Sequence, residues 1–397
     1  MRKVAFCSVL HQPWRISKYS FFDIGHHKNY FDNHLNKRLF ERVARKSYLP
    51  TLRIMKELCE DTEFRVNLSM TGTFLQQAEK YKPAVIKALK ELHATGKMEP
   101  IAETFYHSLA FLISEKEFRE QVRLHLQKMK ELFGVRPKLF RNTESFYNDD
   151  VAKAVEKLRF KGVITEGSEK LLGWRSPGYP YRADGTRLQL FMRNYRLSDD
   201  IAFRFSARSW EGYPLTADKY AAWLGAMPNP FTVIFIDFET FGEHQWEDTG
   251  IFEFLRHLPR HANSSSGIEW SNLSDLLTNR FVDSIHSPQF VSWADCDRDL
   301  SAWLGNEMQN SAFNFLKELE APVKATRDKH LIEVWRWLTT SDHLYYMSTK
   351  FAGDEEVHSY FRCEAYSSPY DAFTNYMNIL QDLKSLVDEL GKRKKKK

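Results

Sequence analysis

The sequence predicts a parallel α/β barrel followed by a helical domain. From residue 4 to about residue 240, short apolar runs alternate with helical segments, as in repeated β-α units. Beyond about residue 272 the apolar spacing becomes mostly helical. At 397 residues the chain is long enough for a barrel of roughly 250 residues plus a smaller appendage. We therefore expect a barrel over residues 1–270 and a helical domain over residues 271–391.

The expected strands are short apolar segments that end at polar residues. The last of them, 231–236, has no charged residue and stops abruptly at Asp237, which is typical of the carboxyl end of a central parallel strand. The expected strands are residues 4–10, 64–68, 98–102, 138–141, 162–165, 188–191, 201–205 and 231–236. The expected helices are residues 36–60, 73–94, 115–133, 151–158, 299–319, 323–338 and 372–390.

The net charge of +5 comes from the end of the chain. Six of the 57 basic residues form the segment 392–397, which leaves 51 basic against 52 acidic residues elsewhere. A bare run of this kind is usually a solvated, disordered end, and we expect one here. Nucleic-acid binding would have only this tail to support it, so we expect no nucleic-acid partner.

The remaining composition favours a cytoplasmic protein without a bound cofactor. No apolar run reaches the 18 residues of a membrane span, and His11 and Gln12 interrupt the only N-terminal apolar run that could serve as a signal segment. Carboxylates show no calcium-loop spacing, so we expect no metal. The cysteines lack C-x-x-C spacing and suggest neither a zinc site nor a disulfide framework. They are Cys7, Cys59, Cys296 and Cys363.

Polar clusters close several of the expected strands. In a parallel barrel such clusters converge on one mouth, where active sites form. No G-x-S-x-G elbow, P-loop or G-x-G-x-x-G run competes with them. The clusters are His11 with Gln12 and Pro13; Glu99 with Glu103 and His107; Asn142 to Glu144; Glu166; and Asp237 with Glu239, Glu243 and His244.

Two converging carboxylates suit glycoside hydrolysis. One must act ionised while the other keeps its proton, which burial or a nearby like charge can arrange. Aromatic residues among Gly, Pro and charged neighbours could stack on sugar rings, although core packing is the commoner role of such side chains. These aromatic residues are Trp174, Trp210, Tyr213, Trp246 and Trp270.

Five segments, in order, resemble the conserved regions of glycoside hydrolase family 57. They are His11-Gln12-Pro13, residues 98–109, the run Phe140-Arg141-Asn142-Thr143-Glu144, residues 237–244 and residues 341–347. The Asp237 run, with its aromatic-Glu-Thr-Phe-Gly sequence, resembles the α-amylase branch in particular. The likeness covers residues 3 to about 380.

The resemblance implies an incomplete (β/α)7 barrel followed by a helical domain. It also implies a retaining α-amylase acting on α-1,4-glucans such as starch, glycogen or maltooligosaccharides. Glu144 matches the nucleophile and Asp237 the general acid/base. A retaining pair should stand about 5 to 5.5 Å apart.

The other candidate site residues are assigned to substrate binding. His11 matches a substrate-binding histidine. Glu99 aligns with the glutamate of the second region, whereas Glu103 lies nearer the expected strand end and could be the one at the mouth. Glu239 could raise the pKa of Asp237 by like-charge repulsion or pair with an arginine such as Arg204. Asp342 and His343 could bring the helical domain to the barrel mouth. The remaining candidates are His107, His244 and Trp270.

Other activities stay open at this point. A 4-α-glucanotransferase would use the same residues with a sugar as acceptor, and residues 173–230 contain no motif that decides between acceptors. A metal-dependent polysaccharide deacetylase would need a His/Asp triad, whereas His26 and His27 are adjacent in a loop. A binding or scaffold protein would be expected to lack one of the two acids, and both are present. The pattern predicts no oligomeric state.

Overall fold

The computed structural model describes residues 1–350 and 364–395. Contacts divide the chain into two compact units. The first comprises Met1–Gln12, Leu39–Glu103 and Val122–Trp293, and the second comprises Pro13–Arg38, Thr104–Gln121 and Ala294–Lys397. This division differs from a single boundary at residue 270, because residues 271–293 pack within the first unit and two earlier segments belong to the second.

Ten strands form the sheet of the first unit. Most are short and buried on both faces, as parallel strands covered by helices are. They are β1 (Arg2–Leu10), β2 (Val66–Met70), β3 (Met98–Ile101), β4 (Leu139–Arg141), β5 (Gly162–Glu166), β6 (Tyr181–Ala183), β7 (Gln189–Arg193), β8 (Phe231–Asp237), β9 (Ile268–Trp270) and β10 (Asp283–Ile285).

Seven of these strands form a parallel ring. β8, β1, β2 and β3 pair in that order, as do β4, β5 and β7. Two weak seams close the ring: the single bridge Ala102 to Phe140 between β3 and β4, and the single register pair Arg193 to Val233 between β7 and β8. The expected fold class, an incomplete (β/α)7 barrel followed by a helical region, is confirmed.

Side-chain alternation separates the inside of the barrel from its outside. In β1, Ala5, Cys7 and Val9 point to the interior cluster, whereas Val4 and Phe6 pack on the outer helices. The outer cluster is the larger one, as expected when helices cover a sheet. The interior cluster fills the barrel with apolar side chains. It forms the floor on which the residues at the carboxyl ends of the strands rest.

Seven of the eight expected strands are present, and one is wrong. Residues 201–205 are not extended, since the helix Tyr195–Ala202 reaches into them. Asn194 starts this helix by accepting a hydrogen bond from the backbone N–H of Leu197 at 3.2 Å. The strands that sequence reasoning missed, β6, β9 and β10, have three residues each, too few to show a period.

The helices follow the strands in the first unit and fill the second. A π-helical segment, Ala44–Tyr48, interrupts the long helical stretch between residues 33 and 61. The α-helices are Asn33–Val43, Leu49–Asp61, Gly72–Tyr81, Pro83–Ala94, Ala110–Ile113, Glu115–Phe133, Asp149–Lys157, Glu169–Leu172, Tyr195–Ala202, Ala217–Ala226, Ile251–His261, Ser301–Leu304, Glu307–Glu318, Glu320–Thr326, Lys329–Leu338, Ser341–Tyr345 and Pro369–Lys395.

A buried ion-pair cluster joins the helices of the second unit. The carboxylate of Glu117, which is fully buried, accepts from Arg336 Nε at 2.8 Å and lies 2.6 Å from Lys324 Nζ. Trp14 and Trp337 pack with ring centroids 5.4 Å apart. Burial without a partner would be costly for Glu117, so the two cations are needed where they lie.

The chain end differs from the expected disorder over residues 392–397, because the last helix continues to Lys395. Residues 396–397 and Cys363 lie outside the described residues. Within residues 1–350 and 364–395, no helix combines the length and apolar character that crossing a bilayer requires.

Candidate active site

Polar side chains lie next to the apolar interior of the barrel, at the carboxyl ends of its strands. Val9, Ile101, Leu139, Ile164, Phe191 and Phe235 all belong to the interior cluster. Because side chains alternate along a strand, the residue two positions later on each strand points to the same side. Those residues are His11, Glu103, Arg141, Glu166, Arg193 and Asp237. The carboxyl edge of the barrel is therefore a ring of ionisable groups on an apolar floor.

Glu144 lies in a strained turn directly after β4. It has φ 52° and ψ 23°, and Ser145, the next residue, has φ 56°. Two consecutive residues other than glycine in the left-handed region are uncommon, and such strain clusters at functional sites. Glu144 is half-buried, so a molecule in the barrel mouth can reach it.

Trp293 fixes the carboxylate of Glu144. Its indole Nε1 donates to Glu144 Oε2 at 2.6 Å, and its backbone N–H donates to the Glu144 carbonyl at 3.2 Å. A two-way backbone bridge between Tyr147 and Val291 brings this segment to the turn. Sequence reasoning missed Trp293, since the contact spans 149 residues and no local pattern announces it.

Asp237 ends β8 and is half-buried. Burial raises the pKa of its carboxyl above the ordinary value of 3.8, and the charge of Glu144 adds to this, while His244, Arg141 and Arg193 oppose it. An acid that keeps its proton to higher pH, close enough to feel a second carboxylate, is what a proton donor to a leaving group requires.

Glu239 is a buried acid beside Asp237. Its Oε1 accepts from the hydroxyl of Tyr48 at 2.5 Å, and the backbone N–H of His11 also donates to its carboxylate. Burial, together with the charge of Asp237, raises the pKa of Glu239 to about 8. Tyr48 ends the π-helical segment, a feature often found at functional sites.

These contacts bear on the two expectations for Glu239. The charge of Asp237 is among the causes that raise the pKa of Glu239 to about 8. Glu239 is not paired with Arg204, because Arg204 Nε bonds Asp200 at 2.7 Å. The expected pairing with Arg204 is therefore wrong, and Glu239 is a neutral acid near pH 7.

Two buried arginines lie in the ring, and sequence reasoning missed both. Arg193 donates to Phe235 O at 2.7 Å, Glu166 at 3.0 Å and Asp199 at 2.5 Å, and so holds the weak seam between β7 and β8. Arg141 lies with Cζ 4.3 Å from the ring of Trp293 and 4.8 Å from that of Phe235. Arg141 ends β4 and Arg193 ends β7, and a charged residue at the end of an apolar strand is the sequence signal that could have identified them.

His11 and Glu103 both lie at the mouth of the barrel. His11 Nδ1 is 3.0 Å from Thr71 Oγ1, and Ser69 Oγ donates to Glu103 Oε1 at 2.8 Å. Glu103 is fully buried, with its charge close to Arg141 and His125. These two candidates are thus brought together with Glu144 and Asp237.

Glu99 and Trp270 lie away from the mouth. Glu99 precedes Glu103 by four residues on the same face of the chain, roughly 13 Å toward the amino end of the barrel. There its carboxylate accepts from the backbone N–H of Ser274 at 2.9 Å. Trp270 is buried, with its indole N–H donating to Ala262 O at 2.7 Å. We leave both out of the site.

Three candidates belong to the second unit. His107 and His343 are buried, and the carbonyl of His107 accepts from the backbone N–H of Ser341, beside Asp342. The His343 ring lies 5.5 Å from that of Tyr376, and its Nε2 is 3.2 Å from Trp337 O. Within this unit, the second and fifth conserved regions therefore adjoin each other.

The loop after Asp237 is anchored to the π-helical segment. Gly242 has φ +100°, and a Cβ there would collide with the carbonyl oxygen of Lys46. Glu243 is buried, with an ion pair to Arg42 at 2.7 Å, which fits a loop-anchoring role. His244 is half-buried, and burial lowers the pKa of its imidazole.

Among the described residues, no group of three or more His, Cys, Asp or Glu side chains is arranged to hold a metal ion.

Comparison with known proteins gives a family. The family model for "Glycosyl hydrolase family 57" matches residues 5–287. A protein from Methanocaldococcus jannaschii named "Putative alpha-amylase" is 44% identical over 405 residues, covering 98% of this chain and 85% of that protein.

Two solved structures share the fold. The 4-alpha-glucanotransferase from Thermococcus litoralis has TM-score 0.66 at 19% identity, over 86% of this chain and 56% of that chain. The alpha-amylase AmyC from Thermotoga maritima has TM-score 0.62 at 14% identity, over 98% of this chain and 95% of that chain.

Proposed function

Because the chain belongs to glycosyl hydrolase family 57, we propose that it is a retaining glycosidase acting on α-1,4-glucans. The observation that supports this most is the pairing of Glu144, held by Trp293, with Asp237, whose pKa is raised by burial and by Glu144. The name of the 44% identical relative favours α-amylase activity.

The proposed reaction is a double displacement. A carboxylate oxygen of Glu144 attacks the anomeric carbon while the glycosidic C–O bond breaks, and the proton of Asp237 passes to the leaving glucan oxygen. Asp237, now ionised, takes a proton from the incoming water, whose oxygen displaces Glu144 and restores the starting configuration.

The surrounding groups suit these roles. The 2.6 Å bond from Trp293 orients the nucleophile, which the strained backbone at Glu144 also holds in place. Glu239 is neutral at pH 7 and adds no second negative charge beside Asp237. His11 and Glu103 are the groups we assign to sugar hydroxyls.

The test compares wild type, Glu144→Gln and Asp237→Asn on maltooligosaccharides and soluble starch. Each substitution should lower turnover by about 100-fold or more, because each removes covalent or acid/base assistance. Near-normal activity in either variant would remove that residue from its role. On an aryl α-maltoside, whose leaving group departs without a proton from Asp237, azide should restore turnover to Asp237→Gly and give an α-glycosyl azide, the retained configuration expected after two displacements at the anomeric carbon.

Product analysis with maltooligosaccharides also shows whether water or a second sugar is the acceptor. Water as acceptor gives only shorter chains from maltoheptaose, and this is the result we expect for an α-amylase. Longer chains beside shorter ones would instead assign 4-α-glucanotransferase activity. A ligand-bound crystal structure should show Glu144 and Asp237 about 5 to 5.5 Å apart, and a separation beyond about 7 Å would contradict retention.

A further inference from the structure

Arg141 is a buried cation in the same ring of residues as Asp237. Its side chain is fully buried and packs against the rings of Trp293 and Phe235, which also contact each other. Its charge lies close to the carboxylates of Glu103, Glu144 and Asp237. Its Nε donates to Ser145 Oγ at 3.2 Å, next to the nucleophile in sequence. Arg141 therefore lies in the same buried polar layer as the carboxylates that define the proposed site.

The outer edge of the Arg141 guanidinium has no acceptor. Neither Nη1 nor Nη2 has a hydrogen-bond partner among the residues the structure describes. Arg193, the other buried arginine of the ring, has protein acceptors on all three of its nitrogens. Leaving buried donors of a charged group unsatisfied is costly, so the position of Arg141 points to an acceptor supplied by a ligand.

The charges around Arg141 restrict the chemistry of that ligand. The carboxylates of Glu103 and Glu144 lie within electrostatic reach and would repel a phosphate or carboxylate, whereas carboxyl oxygens, that of Asp237 included, accept hydrogen bonds from hydroxyl groups. A planar guanidinium presents two parallel N–H groups, which match two neighbouring oxygens. A neutral ligand with adjacent hydroxyls meets both conditions.

We propose that Arg141 is a substrate-binding residue whose Nη1 and Nη2 donate to adjacent hydroxyls of the glucosyl ring attacked by Glu144. This inference rests on the proposed function and deepens it, because it assigns recognition of the reacting ring to a cation of β4. The same side chain, through Ser145, holds the turn that carries Glu144, so recognition and nucleophile share one support.

The experiment measures kcat/KM for aryl α-maltosides that each lack one hydroxyl on the ring next to the aryl group. In wild type, removal of either hydroxyl that Arg141 binds should cost about 10- to 100-fold. In Arg141→Met the same removal should cost at most about threefold, because the donor is gone. Comparing the fold loss in kcat/KM between variant and wild type for the same deoxy substrate cancels the intrinsic reactivity of that sugar.

Arg141→Lys and Arg193→Lys are the matched variants. Arg141→Lys keeps the charge but loses the two parallel N–H groups, so removal of at least one of the two hydroxyls should cost less in kcat/KM than it does in wild type. This variant gives a result even if Arg141→Met does not fold. Arg193→Lys should lose stability while every deoxy substrate keeps its wild-type ratio to the parent maltoside. Equal hydroxyl losses in wild type and in both Arg141 variants would overturn the inference alone. Wild-type inactivity on the parent maltoside and on maltooligosaccharides would overturn the proposed function, and this inference with it.

Discussion

Glu239→Gln tests the electrostatics of the site through folding stability. Glu239 is buried, and its pKa is about 8 rather than 4.5 because burial and the charge of Asp237 outweigh the hydrogen bonds from Tyr48 and His11. A raised folded-state pKa means that the folded protein keeps a proton that the unfolded chain has lost between pH 4.5 and 8. Stability from this group is therefore fully present below pH 4.5 and is lost as the pH rises through about 8.

The size of this loss of stability follows from the difference between the unfolded-state pKa of 4.5 and the folded-state pKa of about 8. Each pH unit corresponds to about 1.4 kcal/mol, so wild type should lose up to about 5 kcal/mol of unfolding free energy relative to Glu239→Gln. The glutamine carries no charge at any pH and lacks this dependence. The two proteins should thus diverge steadily between pH 5 and pH 8.

The assay is urea unfolding of wild type and Glu239→Gln at several pH values in that range. Glu247→Gln removes a glutamate from an exposed position in the same loop and serves as the control. Its difference from wild type should stay nearly constant. If the Glu239→Gln difference is also constant between pH 5 and pH 8, Glu239 is not the neutral acid described here.

Two single contacts, at Trp293 and at Gly242, are also open to test by substitution. Trp293→Phe removes the donor to Glu144 Oε2 but keeps a ring beside Arg141, so kcat on maltooligosaccharides should fall about 10- to 100-fold; a change under twofold would contradict the orienting role. Gly242→Ala should lower the unfolding free energy by about 1–3 kcal/mol or more, since φ is +100° and the Cβ would meet Lys46 O. Gly250→Ala, at φ +84° with open space around its Cβ, should cost less in the same thermal or urea measurement, and equal costs would rule out the collision.

The barrel and its catalytic edge were predictable because they depend on local patterns. An apolar run that ends at Asp237 marks both a buried parallel strand and the end of that strand. The two-residue alternation that leads from Phe235 to Asp237 also leads from Ile101 to Glu103, and could have chosen Glu103 over Glu99 before the structure was known.

The features that were missed depend on distant parts of the chain. Trp293 reaches Glu144 only through the bridge between Tyr147 and Val291, and no spacing rule links segments so far apart. Trp270 has the polar sequence neighbours expected of an aromatic residue that stacks on sugars. Pairing of β9 with the start of β1 nevertheless places it in the core. The charge state of Glu239 required knowledge of its burial, which a sequence motif does not contain.

Glu144 is proposed to form a covalent bond to the substrate. The covalent adduct can be trapped by incubating the protein with a slow mechanism-based substrate, an α-maltosyl fluoride carrying a second fluorine at C5, and mapped by mass spectrometry after proteolysis. We expect one glycosyl group on the peptide containing Glu144 in wild type, and none in Glu144→Gln. A glycosyl group on Glu103 or Glu239, or no adduct together with turnover to products of inverted configuration, would contradict it.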